Sequence, residues 1–322
     1  MRDVGEFGWI GRVARAERGA AGAVGVLRGL GDDAAVVRLR SPTLVTLDVL
    51  VEHVHFRRGW GTPRQLGYKA FAVNASDIAA MGGQPTHVLV DLRAPTSTPL
   101  HVLDELYRGL RSAARREGAV LIGGNTSRAP ALSVGVTLLG WAPHGYLGRD
   151  RCRVGHHLYV TGTLGLAALG LRALCRRGPR EATAVRRFLV PPLRGPLARA
   201  LARTGLCGGM IDVSDGCLQD LGHLCAASGV GAEVEVERVP LSLAYRRAYG
   251  TSPRLALSGG EDYELLFSAR PALAPRLAAL ARRHRCPISR IGRIVAAENG
   301  IRLVDRSGRS VSSIPQGHDH FR

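Results

Sequence analysis

Lysine is almost missing from this sequence. Of its 44 basic residues only Lys69 is a lysine, and the rest are arginine, set against 26 acidic residues. A formal charge of +18 would suit a polyanionic partner, but the arginines are dispersed, in pairs such as Arg57–Arg58, Arg115–Arg116 and Arg282–Arg283. Aromatic residues make up only 5% of the chain and are not interleaved with those pairs as a single-strand binding groove requires. Nucleic acid is therefore not expected as the main partner. The six cysteines include no CxxC pair and no spacing suited to a zinc site, so reduced thiols are expected. No apolar run reaches the ~18 residues of a membrane span. Met1 to Gly11 carries Asp3 and Glu6 and lacks the basic-then-apolar order of a secretory signal. Together these absences predict a cytoplasmic enzyme with no membrane partner.

What is present suits a large buried core. At 322 residues, with 45% hydrophobic and 22% charged side chains, the chain exceeds what one core usually organises, and two α/β domains are expected. Apolar alternation predicts strands at Leu44–Thr46 and Val88–Leu92, and the i, i+3, i+7 pattern of Leu103–Glu117 predicts a helix. Ala119–Gly124 reads as a strand entering a glycine turn, and Ser133–Gly140 as a further strand. The turn-rich stretch Ala142–Gly155 places a domain boundary near its start, giving domains 1–145 and 146–322. The second half restarts with a strand at His157–Thr161, a turn at Gly162–Gly165 and a helix to about Arg176. Later come Met210–Gly216, a helix from about Leu218 to Ser228, and a loop and strand over Ser258–Phe267.

In a chain so rich in arginine, carboxylates nevertheless gather at Asp32–Asp33, Asp48, Asp77, Asp212 to Asp215 and Glu261–Asp262, each beside glycine, serine or threonine. A single Asp–Gly pair is ordinarily a turn or a helix cap. Five such clusters point instead to loops at strand ends that face one cleft. Mg²⁺ calls for such a supply, since it takes oxygen ligands and is usually shared between one or two carboxylates and substrate phosphates. In Asp212-Val213-Ser214-Asp215-Gly216, a period of two sets Asp212 and Ser214 on one side of a strand end. The helix that follows would offer its N-terminus to a phosphate beside Ser214. His53 and His55 alternate, so on a strand they would share a face and suit a transition metal; the blander reading has one of them hydrogen-bonding a phosphate. Lys69 reads as an ordinary charge at a helix start, and Tyr107 equally well as a core aromatic or as a ligand contact.

The same segments carry a family resemblance. In order and spacing, Gly5-Glu6-Phe7, Gly31-Asp32-Asp33-Ala34, Val51-Glu52-His53-Val54-His55-Phe56, Tyr68-Lys69-Ala70, Val73 to Gly82 and Gly123-Gly124-Asn125-Thr126 resemble thiamine-monophosphate kinases. So do Tyr159 to Thr163, Ile211 to Gly216, Asp220-Leu221-Gly222-His223 and Leu257 to Leu265. The resemblance spans nearly the whole chain. It implies the two-domain α/β (α+β) fold of the aminoimidazole ribonucleotide synthetase superfamily, with the amino-terminal domain forming a β-barrel across a homodimer. It further implies γ-phosphoryl transfer from ATP to thiamine monophosphate, with several Mg²⁺ ions and no Walker lysine, since GxxxxGK[ST] is absent. The metal ligands it implies are Asp33, Thr46, Asp48, Asp77, Asn125, Asp212 and Asp215. For ATP it implies Tyr107, Gly124, Asn125, Arg149 and Ser214, and for the thiamine phosphate His55 and Glu261. Asp212 and Arg149 act electrostatically, and no covalent nucleophile is implied.

Four positions depart from the family pattern. Asn125 stands where a metal-binding Asp is usual, which predicts weaker Mg²⁺ affinity unless a neighbouring acid substitutes. Leu47 replaces a hydroxyl before Asp48, Pro315 an aromatic against the substrate, and His53 a small residue. A related ATP-dependent enzyme with another phosphate-bearing acceptor, or a nucleotide-binding paralogue with little turnover, are the alternative readings.

Overall fold

The structure, a computed structural model, describes residues 5–17, 25–30, 34–175 and 181–311. The chain divides into two units. The first is Met1–Ile78 with Gly83–Pro143, and the second is Ala79–Gly82 with His144–Arg322.

The first unit opens with helix α1 (Gly5–Ala16) and a small antiparallel pair, β1 (Val26–Arg28) and β2 (Val36–Val37). It continues with β3 (Thr43–Val51), α2 (Pro63–Ala80), β4 (Gln84–Ala94), α3 (Leu100–Glu117), β5 (Val120–Arg128) and β6 (Ser133–Trp141). Four of these strands form one sheet in the order β3-β6-β4-β5, antiparallel except for the parallel β4–β5 pair. Because side chains alternate along a strand, Val88, Val90, Leu92, Val134, Val136 and Leu138 bury one face. The other face carries Val45 and Leu47, which are 65% and 61% exposed. The sheet is open at β3 and β5, so among the described residues no closed barrel is formed.

Helix α2 is the element that the sequence pattern does not reveal. Nearly all of its residues from Ala70 onward are buried, so it has no polar stripe to set a helical period. Its start is written locally. Thr62 accepts from Gln65 N at 3.2 Å while Gln65 accepts from Thr62 N at 2.8 Å, a reciprocal cap followed by proline at the first helical position. Lys69 consequently lies inside the helix, 3% exposed, and not at its start.

Helices α2 and α3 meet backbone to backbone through two glycines. A Cβ on Gly67 would lie 1.8 Å from Leu106 O, and one on Gly109 1.8 Å from Arg64 O. Alanine at position 67 gains about 1 kcal/mol of helix propensity. The obstacle is a main-chain carbonyl that cannot swing aside, so overpacking at the upper end of about 1–3 kcal/mol outweighs that gain. Gly67→Ala is therefore expected to lower stability by about 1–2 kcal/mol net, read as a lower urea midpoint. An unchanged or raised midpoint would show that the helices separate at little cost.

β5 corrects one sequence expectation. The strand does not end in a turn at its glycines but runs through Gly123 and Gly124 to Arg128. Glycine is needed there for close approach, since a Cβ on Gly124 would come within 2.1 Å of Val90 O on β4.

The second unit contains β7 (His157–Thr161), α4 (Leu166–Leu174), α5 (Ala182–Leu189), α6 (Gly195–Thr204), β8 (Met210–Asp212), α7 (Cys217–Ser228) and β9 (Gly231–Glu235). It ends with α8 (Leu243–Tyr249), α9 (Arg254–Ser258), β10 (Leu265–Ala269), α10 (Ala274–Arg283), β11 (Ile288–Val295) and β12 (Ile301–Val304). Its six strands order as β12-β9-β11-β7-β10-β8, all antiparallel except β12–β9. Both faces are covered. Leu158, Val160, Ile211 and Leu266 join Leu166 and Leu169 of α4 and Leu221 and Leu224 of α7 in one core. Tyr159, Met210, Leu265 and Phe267 join Leu197 and Leu201 of α6 and Leu277 and Leu280 of α10 in another. All six cysteines are free thiols. No helix among the described residues is long and apolar enough to cross a membrane.

Candidate functional site

In the first unit, three predicted metal ligands collect where β3 meets α2. Thr46 Oγ1 donates to Asp77 Oδ2 at 2.6 Å. One strand step further, Asp48 N donates to Asn74 Oδ1 at 2.9 Å, and Asn74 Nδ2 donates to Ala70 O at 3.0 Å. Asn74 is fully buried and fixes the strand against the helix. It is a residue that sequence reasoning quoted but gave no task. Leu47 points to the opposite, open face.

Asn125 does not join this group. It pairs in register with Asp91 of β4, and Asp91 sits opposite Gly135 of β6, which sits opposite Val49 of β3. A Cβ on Gly135 would touch Val49 and Asp91 at 3.4 Å each, so that row shares the open face. Thr46 and Asp48 alternate with Val49 and belong to the other face. Asn125 and Asp48 are therefore at opposite edges of the sheet and on opposite faces of it. Among the described residues no group of three or more His, Cys, Asp or Glu is poised to hold a metal ion.

The loop after β3 turns at His53, whose φ is +72°. His53 and His55 thus lie on a turn, where the strand period that would align them does not hold. Val51 N donates to His55 Nδ1 at 3.0 Å, so a neutral His55 carries its proton on Nε2, the arrangement suited to an anionic oxygen. Tyr107 is 4% exposed and meets Trp9 edge-on, with ring centroids 5.3 Å apart; burial pushes its hydroxyl pKa up. Its placement is that of a core aromatic. Gly124, as described, is required by the ladder. Asp33, Pro315 and the stretch His318-Asp319-His320 lie outside the described residues.

In the second unit, two motifs some 45 residues apart in sequence are sewn together. Glu261 N donates to Ser214 O at 2.7 Å, Tyr263 N to Val213 O at 2.8 Å, and Val213 N to Glu264 O at 2.8 Å. The loop that carries Glu261 therefore lies alongside the one that carries Asp212, Ser214 and Asp215. Glu261 has a φ of +71°, and a Cβ on Gly260 would come within 2.3 Å of Ser214 O. Asp212, at the end of β8, is buried, while Ser214 and Asp215 are half-buried. Arg149 is exposed at the start of a short 3₁₀ turn whose backbone is held by Ser228, the hydroxyl of which donates to Arg149 O at 2.6 Å.

The turn before α7 is closed by a side chain of the helix itself. The backbone N–H groups of Ser214, Asp215 and Gly216 converge on Asp220 Oδ2 at 3.0, 3.2 and 3.1 Å. The backbone donors of the turn just before α7 are thus taken by a buried carboxylate, and the donors of the first helical turn, Cys217 to Gln219, are not among them. Any phosphate contact of Ser214 falls to its hydroxyl. Burial, and then the nearby charge of Asp215, push the Asp220 pKa up to about 7 against these three hydrogen bonds.

Sequence reasoning read Asp220 only as part of a motif. Its signal was present: an Asp four residues after Gly216, inside the first turn of a helix, is where a side chain reaches back to a preceding turn. Asp220→Ala leaves three N–H groups without their acceptor, at about 1–3 kcal/mol for a buried unsatisfied polar group. The expected result is that loss in a urea melt, together with a raised KM for ATP. A variant that loses stability with KM unchanged would limit Asp220 to folding.

Two further acids near this loop are structural. Asp262 accepts from Gly165 N at 2.6 Å and from Ala167 N at 3.4 Å, capping α4; its burial pushes its pKa up to about 7. Glu264 accepts from Thr161 Oγ1 and from both Arg187 and Arg194.

Comparison with known proteins adds an independent finding. Residues 31–142 match the N-terminal domain of AIR synthase related proteins, and residues 153–305 the C-terminal domain. A thiamine-monophosphate kinase of Aquifex aeolicus is 34% identical over 277 residues, covering 83% of this chain and 87% of its own. The crystal structure of thiamine-monophosphate kinase from Stenotrophomonas maltophilia K279a superposes with a TM-score of 0.83 at 34% identity, covering 94% of this chain and 97% of its own. A structure of AaThiL complexed with AMPPCP and TMP gives a TM-score of 0.75 at 31% identity, covering 100% and 98%.

Proposed function

This chain belongs to the thiamine-monophosphate kinase family, and from that premise we propose that it transfers the γ-phosphoryl group of ATP to thiamine monophosphate, giving thiamine diphosphate and ADP. The observation that carries this reading in the chain itself is the seam between the Asp212 to Gly216 turn and the Gly259 to Glu264 loop. That seam brings the loop that carries Glu261 alongside the turn that carries Asp212 and Asp215. The acceptor is already an anionic phosphate oxygen, so no strong base is needed. Catalysis rests on in-line positioning and on neutralising charge.

The donors present fit Mg²⁺. Thr46 with Asp77 and Asp48 in the first unit, and Asp212 with Asp215 in the second, offer hard oxygen atoms, without thiolate or imidazole among them. These residues, with Asp33 and Asn125, would hold the ions, which when bound would neutralise charge on the phosphate oxygens. Arg149 would add a fixed positive charge, Ser214 a hydroxyl for ATP, and His55 Nε2–H with Glu261 the contacts to thiamine phosphate. The amino-terminal domain, 1–145, would hold ATP and metal, and the carboxy-terminal domain, 146–322, would complete the site in a cytoplasmic enzyme. The apolar face with Val45, Leu47 and Val49 would be covered by a second copy, pairing the two open sheets into a barrel.

Purified protein incubated with ATP, Mg²⁺ and thiamine monophosphate should release ADP and thiamine diphosphate in equal amounts, and EDTA should abolish both. ADP without thiamine diphosphate would point to another acceptor. ATP binding without ADP would identify a paralogue with little turnover.

A further inference from the structure

Strand β3 ends on a rung that is closed by a side chain. Val51 pairs in register with Ser133, so Glu52 stands opposite Leu132. Glu52 N donates to Leu132 O at 2.9 Å. In an antiparallel ladder such a pair exchanges a second bond, from the facing N–H to the main-chain carbonyl. Here Leu132 N donates to the side-chain Oε2 of Glu52, at 2.9 Å. The carboxylate does the work of the carbonyl, and the chain turns out of the strand at the next residue, His53, whose φ is +72°. His53 N then donates to Phe56 O at 2.7 Å, and His55 N to Val51 O at 2.9 Å. Val51 lies between hydrogen-bonded pairs, so on this edge strand its N–H points away from β6, and it donates to His55 Nδ1 at 3.0 Å. Both the backbone and the ring of His55 are therefore held by Val51, one residue before the rung that Glu52 closes.

Glu52 is only 6% exposed, and a carboxylate so placed needs a counter-charge as well as a donor. Arg58 brings one from the surface. Its side chain is 51% exposed, with Nε 2.8 Å from Glu52 Oε1 and Nη2 3.1 Å from Oε2, a two-pronged contact that fixes the plane of the carboxylate. We propose that Glu52, clamped by Arg58, is the positioning residue for His55, and that it thereby sets the affinity for the phosphate-bearing acceptor. In this role neither side chain needs to touch the acceptor. They hold the turn that aims His55 Nε2–H. Without the charge on Glu52 the rung at Leu132 loosens, and the two Val51 groups that hold His55 loosen with it. This inference rests on the reading given above in which His55 contacts the thiamine phosphate.

The test is steady-state kinetics of the full-length protein with ATP, Mg²⁺ and thiamine monophosphate, run as a double-mutant cycle on His55. Glu52→Gln should raise KM for thiamine monophosphate by about 10- to 100-fold, the scale on which a misplacement of about 1 Å is felt, and leave KM for ATP within about twofold. Arg58→Ala should move the same constant in the same direction by a smaller factor. Being at an exposed side chain, it carries the test alone if Glu52→Gln does not fold. In a His55→Ala background neither change should raise KM further, because a residue that acts through another has nothing left to position. If His55→Ala raises KM for the acceptor while folded Glu52→Gln and Arg58→Ala do not, this inference is overturned and the reading of His55 stands. It is equally overturned if either change raises that KM as much without His55 as with it, since the pair would then act on the acceptor by another route. If His55→Ala leaves KM unchanged, or wild type makes no thiamine diphosphate, the reading of His55 or of the kinase fails and this inference fails with it.

Discussion

Asp212→Asn should lower kcat/KM by about 10²- to 10³-fold, the usual loss when one electrostatic contact to a transition state is removed. The residue is placed so that the substitution reports charge and little else. Asp212 closes β8 opposite Leu265 of β10, and the next residue, Val213, is held by Glu264 O and Tyr263 N. An amide of the same shape fits that frame without moving it. A thermal melt of the variant separates the loss of charge from any loss of folding. The Mg²⁺ concentration giving half-maximal rate should rise as well. Steady-state ADP release across a Mg²⁺ series checks both. Wild-type kcat/KM in a folded variant would remove Asp212 from the catalytic machinery.

The largest loss of stability is expected at a residue that touches no substrate. Glu264 is fully buried. It accepts two hydrogen bonds from Arg194, at 2.6 Å each, one from Thr161 Oγ1 at 2.6 Å, and one from Arg187. Glu264→Gln keeps the shape, but two largely buried guanidinium groups lose their counter-charge. Breaking a buried pair by removing one partner costs about 3–5 kcal/mol. At about 2–4 °C per kcal/mol for a unit of this size, the midpoint should fall by on the order of 10 °C. A shift of only a degree or two would mean that water reaches the arginines.

The pH dependence follows with a definite sign. Burial alone would raise the Glu264 pKa, but Arg194 and then Arg187 and Thr161 outweigh it and hold the value below the ordinary glutamate range. Its contribution is therefore complete above about pH 4.3, the unperturbed value, and is lost as pH falls through the lowered folded value. Near neutrality this group should leave stability independent of pH.

The elements legible in the sequence are those with one wet and one dry face. Helix α3 and strands β4 and β6 alternate clearly because each buries a single side. Helix α2, buried on nearly every side, leaves no period to read, and only its Thr62–Gln65 cap marks it. The candidate site divides in the same way. Asp212, Ser214, Asp215 and Glu261 were found as residues, but the backbone seam that joins them is a long-range pairing without a local signal. Asp91 could not be matched to Asn125 in advance, since the register of β4 on β5 shifts between Val88 and Leu89, and a one-residue slip turns every later side chain to the other face. That Asp220 claims the three donors of the turn before α7 was hidden for a related reason. Helix geometry supplies donors, but which acceptor claims them is decided by the fold.

The seam in the second unit also limits how this enzyme can be retuned. Gly260 and Gly216 each face backbone across it, at distances where an added methyl group would collide with Ser214 O or Ser258 O. Neither position can be widened into a library of side chains. An effort to redirect the enzyme towards a different phosphate acceptor therefore has little freedom in the loop that carries its acids. Changes aimed at acceptor choice are therefore better placed at Glu261 and His55, the residues proposed to contact the acceptor, with both glycines left as they are.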